Sequence, residues 1–447
     1  MAPKGKKEFV RSPKGMHDML PADARYFDHF VAIAKEVSDY YGFAEIKTPH
    51  VEHAELFMRP LGETSDVVQK EMYTFRTKGG DLLALRPEGT AAIMRAYVEH
   101  GMGSWPQPVK LFYEGAFFRH ENPQRGRYRE FRQFGIEILG DADPISDALV
   151  IKVFYLILSD MGFKNIMVHI NSIGNRDCRP SYKKELTNYY KKKFNYLCKN
   201  CKRRLKENPL RLLDCKEPGC VELRVQAPQM IEFLCDTCKT HFRGVLEFLD
   251  ENKIPYLLDH YLVRGFDYYG KTVFEIFSDD STTMEEHTEN DTLAEATKET
   301  PIALAGGGRY DDLMTLLGGK MLPATGGGIG IERIIHEMKR LGIEPKMKPG
   351  AKVFLIQIGP SAKKKSFVLL DTMRDAGIRV DASLSRDNLK TQLNIAAKIG
   401  AKIALIIGQK EAMEGSVIMR DMDEGIQETV MEAKLIEKLK VHLKAKK

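Results

Sequence analysis

At 447 residues, 43% apolar and 29% charged, the chain has the composition of an ordinary soluble globular protein of about three domains. It lacks the run of about eighteen apolar residues that a membrane span requires, and its basic start, MAPKGKKEFVRS, lacks the apolar stretch of a secretion signal. A net charge of +6 is too small to argue for nucleic acid by itself. Six of the seven cysteines fall within residues 198–238, which predicts a local cluster, not a secreted disulfide framework, and a cytoplasmic location.

The first predicted element is a helix. Pro21 suits a first turn, Tyr26, Phe30, Ile33, Ala34, Val37 and Tyr41 share one face, and Gly42 is a natural stop. FAEIKTPHVEHAELF then reads as a strand interrupted by Pro49, hence an edge or interface element. LLALRPEGT forms a strand with a polar end, followed by the helix AAIMRAYVEHG. VKLFYEGAFFRHE and FRQFGIEILG flank the loop NPQRGRYRE, and such pairing predicts an antiparallel sheet.

Between about 175 and 250 the chain becomes basic, Cys-rich and helical, which looks like an insertion. Residues 182–216 hold twelve Lys/Arg against three Asp/Glu, interleaved with Tyr189, Tyr190, Phe194 and Tyr196. That block suits a phosphate-contacting surface or a solvated helical face. Strand character returns at 255–277, and an acidic surface loop is expected at 279–299. GGGRYDDL leads to the glycine-rich segment GGKMLPATGGGIGIERIIHEMKRLG, which enters a helix, and Pro345, Pro349 and Gly350 mark a linker. Finally KVFLIQIG, GIRVDASL and AKIALIIG alternate with helices around 362–376 and 388–399, which predicts a small α/β domain.

The chemistry-bearing pattern is a set of arginines beside glycines or acids: Arg86, Arg119, Arg127, Arg264, Arg309 and Arg333. No Gly-x4-Gly-Lys-Ser/Thr loop or Ser/Cys nucleophile signature accompanies them. Convergent guanidiniums suit a polyanion, and a phosphoryl or adenylyl transfer site of this kind acts by positioning and charge stabilisation. Glu88 and Glu137 would recognise a cationic or hydrogen-bond-donating group on a second substrate. LVRGFDYYGKTVFE at 262–275 reads as a strand-flanked segment whose Arg264 lies among two tyrosines and acids.

RHENPQRGRYREFRQFGIEILG, LVRGFDYYGKTVFE, GGGRYDDL and GGGIGIERI, with TPHVE around Pro49, resemble in collinear order the class and histidine motifs of histidyl-tRNA synthetases. The resemblance runs from roughly residue 9 to 440. It implies an α+β fold: a class II catalytic domain, an antiparallel sheet flanked by helices, at 1–174 and 251–345, a helical Cys-rich insertion at 175–250, and an α/β anticodon-binding domain at 350–447. It implies a homodimeric enzyme that makes histidyl-adenylate from L-histidine and ATP, with Mg²⁺, and passes histidine to tRNA(His). By the same resemblance Arg264 and Arg119 are catalytic at the α-phosphate, and Arg264 also meets the histidine carboxylate. Arg127 reaches the terminal phosphates, Phe131 and Arg333 sandwich adenine, and Glu121 joins the ATP site. Glu88 and Thr90 hold the α-ammonium group, Glu137, Tyr268 and Tyr269 line the imidazole pocket, and Gln133 and Tyr310 lie near the amino acid.

A catalytically silent paralogue, serving as a regulatory or tRNA-sensing subunit, is the alternative reading. The sequence departs from the family pattern where GGGIG replaces a bulkier apolar residue before Arg333, and in the acidic stretch. Cys198-x2-Cys201 and Cys235-x2-Cys238 have the spacing of paired zinc knuckles, with Cys215 and Cys220 as competing ligands and buried free thiols as the alternative.

Overall fold

Strand Glu130–Leu139 shows in miniature how this chain builds its first unit. Phe134, Ile136 and Ile138 point one way, while Phe131, Gln133, Gly135 and Glu137 point the other. The apolar set enters a core with Phe30, Phe112, Phe154, Phe274 and Ile329, covered by helices Pro21–Tyr40, Pro144–Asp160 and Ile331–Arg340. The polar set faces the opposite side of the sheet. The computed structural model in which this is seen describes residues 9–62, 67–123, 126–278, 302–345 and 352–445.

The sheet has eight strands in the order Ala44–Glu45, Val109–Phe118, Glu130–Leu139, Ala324–Gly330, Ala305–Arg309, Gly270–Ser278, Ile166–Ser172, Tyr256–Leu258. Its interior pairings are antiparallel and its two edge strands pair in parallel. This is the expected α+β catalytic architecture. Pro49 does interrupt its segment: Ala44–Glu45 edges the large sheet, whereas Val51–His53 pairs with Leu82–Leu85 in a separate three-stranded sheet.

The reading of 262–275 as flanked on both sides by strand needs correction at its first flank, because His260–Val263 is not strand. The regular strand begins only at Gly270, and Leu262–Tyr269 is irregular chain. Side chains satisfy its backbone: Asn171 donates to the Leu262 carbonyl at 3.0 Å and Arg211 to the Gly265 carbonyl at 2.7 Å. Four helices, Arg179–Lys192, Lys199–Glu207, Pro218–Val225 and Asp236–Glu251, occupy the stretch assigned to the insertion. The last serves two clusters, with Cys238 in the cysteine-rich one and Phe242, Val245 and Leu249 in the main core. The acidic stretch at 279–299 and linker residues Pro349 and Gly350 lie outside the described residues.

A second unit comprises Lys346–Lys447. Three parallel strands, Val380–Ala382, Val353–Gln357 and Ile403–Ile407, carry the expected α/β alternation. The sheet continues with the antiparallel strands Ser416–Asp421 and Gln427–Met431, and helix Glu432–Ala445 follows. Sequence reading missed this hairpin, although Val417–Arg420 alternates buried and part-exposed residues before Gly425, whose φ of 75° suits a turn.

Candidate active site

Glycine makes the floor of the pocket. In strands Ala305–Arg309 and Ala324–Gly330, Gly306 faces Gly328, Gly307 faces Gly327 and Gly308 faces Gly326. A Cβ on Gly326 would occupy the space of the Glu137 carboxylate, and one on Gly306 would lie 2.6 Å from the Arg264 guanidinium. Glycine at 326, the first residue of GGGIG, thus makes room for the Glu137 carboxylate, and glycine at 306 on the neighbouring strand makes room for the Arg264 guanidinium.

Glu137 is fully buried at the centre. Its oxygens accept from Thr90 Oγ1 at 2.8 Å and from the Tyr310 hydroxyl. Burial pushes its carboxyl up to about 8, against the opposing pull of the Tyr310 and Thr90 hydrogen bonds. Glu88 stands beside it at the start of helix Thr90–Glu99, accepting from the backbone N–H groups of Thr90 at 2.6 Å and Ala91 at 2.9 Å. Burial also raises the Glu88 carboxyl, partly offset by those two bonds and by Arg119.

Aromatic rings wall the pocket. The Tyr268 and Tyr269 ring centroids are 4.7 Å apart, and both meet Tyr310 edge-on at 5.9 and 6.2 Å. Tyr113, opposite Gly135, supplies a further wall that the sequence reading missed. Its signal was available, because strand alternation places Tyr113 and Gly115 on the face of Gly135 and Glu137.

Arg264 donates to Glu275 Oε1 at 2.6 Å and lies 5.5 Å from the Tyr269 ring centroid. Its buried Nε has no hydrogen-bond partner among the described residues. Arg119 is held by the Pro87 carbonyl at 2.9 Å and sits over the Phe131 and Phe266 rings at 5.1 and 5.4 Å. Phe266 in turn packs on Tyr268 at 5.4 Å, so Arg119 and Arg264 flank one aromatic run. Glu121 contacts Arg119 at 3.7 Å and Arg127 at 3.4 Å. Arg333, from helix Ile331–Arg340, donates to the carbonyls of Gly126 and Ala303. Burial lowers the Arg333 pKa, and the like charges of Arg127 and Arg119 lower it further. Three guanidiniums near enough to repel one another make a locus suited to a polyanion.

The other two arginines of the set do not join them. Arg86 donates to the carbonyls of Ala116 and Thr48, both at 2.9 Å, and packs on Phe117. Arg309 is fully buried, with Nε bonded to Asp147 at 3.0 Å, Nη1 to the Asp141 carbonyl at 2.8 Å and Nη2 to the Asp143 carbonyl at 3.1 Å. Both are struts. The resemblance gave these two no role, but the arginine pattern alone did not separate them from Arg119 and Arg264, because the carbonyls and carboxylate that occupy them come from distant segments. Gln133 lies on the Glu137 face of its strand, opposite Gly115 and Gly330. Glu275 and Phe266 are contacts of the arginines to which the sequence reading assigned no role.

The two Cys-x2-Cys pairs do not come together, and the competing ligands Cys215 and Cys220 take the place of the second pair. Cys198 and Cys201 meet Cys215 and Cys220, while Cys235 and Cys238 meet Cys178. Chain reversal between the two Cys-x2-Cys pairs, not their sequence separation, decides the partners. Both groups belong to one cysteine-rich hydrophobic cluster, separate from the cluster that holds the pocket's tyrosines.

A family model described as histidyl-tRNA synthetase matches residues 15–177, and one described as anticodon binding domain matches residues 352–442. The histidine–tRNA ligase of Caldicellulosiruptor saccharolyticus is 42% identical over 438 residues, covering 98% of this chain and 99% of the relative. That of Pelotomaculum thermopropionicum is 41% identical over 418 residues, 94% of each. The crystal structure of apo S. aureus histidyl-tRNA synthetase is similar at a TM-score of 0.76 and 32% identity, covering 96% of this chain and 99% of that one. A Bacillus halodurans structure described as an ATP phosphoribosyltransferase regulatory subunit/histidyl-tRNA synthetase, at 21% identity and a TM-score of 0.60, shares the fold.

Proposed function

The chain belongs to the histidyl-tRNA synthetase family, and on that premise we propose how its pocket works as a histidine–tRNA ligase. The reaction uses ATP, histidine and tRNA in two steps. The histidine carboxylate attacks the ATP α-phosphorus and expels pyrophosphate. A terminal ribose hydroxyl of tRNA(His) then attacks the adenylate carbonyl and releases AMP. No protein nucleophile is needed, so the chain's contribution is position and charge.

Glu137 is the observation that carries the reading. A carboxyl buried over glycine and bonded only to hydroxyls suits an imidazole, which presents a donor at one nitrogen and an acceptor at the other. Glu137 takes the imidazole N–H, and Tyr268, Tyr269 and Tyr310 supply hydroxyls and close ring contact. Glu88 and Thr90, at the helix start, take the α-ammonium group, and Gln133 lies beside it. Arg264 and Arg119 bind the α-phosphate oxygens and stabilise charge on the pentavalent phosphorus, with Arg264 also orienting the attacking carboxylate. Arg127, with Glu121 as its neighbour, meets the terminal phosphates, and Phe131 and Arg333 enclose adenine. Mg²⁺ would accompany ATP, mostly through its phosphates and water, and would supply neutralising charge beside Arg127 and Glu121.

The basic insertion clasps the acceptor arm; exposed Tyr196 and Phe194 among its lysines support this. The unit at 350–447 reads the anticodon. A homodimer, with Pro49 and its short edge strands at the interface, fits a sheet whose rim would otherwise stay open. A cytoplasmic location agrees with seven free cysteines. No helix among the described residues is long and apolar enough to cross a membrane.

Histidine-dependent exchange of pyrophosphate into ATP tests the assignment. Purified protein is expected to exchange. Intact histidine binding with no exchange would overturn it and favour a silent, regulatory paralogue.

A further inference from the structure

The fold gathers Cys198, Cys201, Cys215 and Cys220 so that all four sulfurs lie within 4.8 Å of one another. Cys198 caps helix Lys199–Glu207 and Cys201 sits in its first turn. Cys215 follows the short 3₁₀ turn Pro209–Leu212, and Cys220 lies in helix Pro218–Val225. We propose that these four thiols, as thiolates, bind one zinc ion per chain as a closed tetrahedral site.

Three observations carry the assignment. A tetrahedron with Zn–S bonds of about 2.3 Å places its sulfurs about 3.8 Å apart, and Cys198 Sγ and Cys215 Sγ are 3.9 Å apart. Backbone N–H groups already point at the sulfurs: Cys201 N–H donates to Cys198 Sγ and Cys198 N–H to Cys220 Sγ, each at 3.4 Å. Such donors stabilise metal-bound thiolate and orient it. Four thiolates around Zn²⁺ also leave two negative charges, and Lys199, Lys202, Arg203 and Lys216 stand beside them in sequence. Three of the cysteines are buried and Cys198 is half-buried, which gives the ion an entry path.

The second group differs. Cys178, Cys235 and Cys238 supply only three thiols, and the side-chain oxygen of Asn175 accepts from Cys178 Sγ at 3.1 Å. It serves as the control.

Position gives the zinc site a consequence. Between Cys201 and Cys215 run Asn208, which donates to Asp267 Oδ1 at 2.7 Å, and Arg211, which donates to the Gly265 carbonyl at 2.7 Å. The ion ties off the loop that braces the irregular segment carrying Arg264.

Elemental analysis of the full chain, purified without added metal, is expected to find zinc. Cobalt exchange is expected to give sulfur-to-cobalt charge-transfer bands with the visible bands of a tetrahedral ion. Cys201→Ser and Cys215→Ser each lose one equivalent relative to wild type, whereas Cys178→Ser and Cys238→Ser do not. Wild-type protein without zinc, whose four thiols react freely with a thiol reagent in the folded state, would overturn the proposal without recourse to any variant. Zinc that disappears with Cys178 or Cys238 and survives loss of Cys201 and Cys215 would overturn it as well.

Discussion

Glu137 and Asp147 are both removed from water, at 0% and 1% exposure, yet they serve opposite ends. Glu137 is bonded to the hydroxyls of Thr90 and Tyr310, and burial raises it to about 8. Burial works against the charge of Asp147 too, but Arg309 and His241, the latter at 2.7 Å, outweigh it and hold the carboxyl at about 2. A carboxyl satisfied by neutral hydroxyls keeps room for a cationic or donating ligand. One satisfied by a guanidinium and an imidazole has become part of the frame. The arginines divide in the same way: every nitrogen of Arg309 is engaged, while Arg264 keeps a buried Nε without a partner among the described residues.

The largest test of this contrast is Asp147→Ala. It strands the Arg309 charge in the core, and removing one partner of a buried pair lowers stability by about 3–5 kcal/mol, measured by denaturant unfolding. A loss below about 1 kcal/mol would mean that Asp147 is not a strut. Arg264→Ala should leave unfolding nearly unchanged and slow histidine-dependent pyrophosphate exchange by about 10²–10³-fold, the usual effect of deleting one preorganised donor. ATP binding should weaken far less; an equal loss in both would remove the transition-state role.

Glu137→Gln keeps the volume and removes the ionisable oxygen pair. The KM for histidine should rise roughly 10- to 100-fold, as for loss of about 1–3 kcal/mol of buried polar contact, with the KM for ATP little altered. An unchanged histidine KM would take Glu137 out of the imidazole pocket. The smallest effect is on pH-dependent stability. The folded Glu137 pKa, about 8, lies above its ordinary value of 4.5, so the folded state holds the extra proton between these values. Its stabilising contribution is therefore lost as pH rises through that window, and the unfolding free energy of wild type should fall relative to Glu137→Gln. Asp147 has the reverse sign, its contribution present above 3.8 and lost as pH falls toward about 2. Parallel curves for wild type and Glu137→Gln would contradict the raised carboxyl.

Sequence motifs named Glu88, Thr90, Glu137, Arg119, Arg264 and the three tyrosines, which the fold brings to one aromatic-walled pocket. The bare pattern of six arginines did not reveal which were already occupied, since that depends on carbonyls of Thr48, Ala116, Asp141 and Asp143 delivered from other elements. Nor did spacing choose between Cys235 and Cys238 and the competing Cys215 and Cys220 as partners of Cys198 and Cys201; the fold does, placing Cys215 beside Cys198.

By itself, then, the sequence determined what is local and periodic. The proline-started, amphipathic helix Pro21–Tyr40, the alternating strands, the α/β pattern after residue 352 and the ordered motifs all follow from side-chain type at fixed repeats. The tertiary structure alone decided which charges remain available. Whether a buried carboxyl or guanidinium is a ligand or a strut is set by the partners that distant segments place within about 3 Å of it, and no spacing along the chain records that distance.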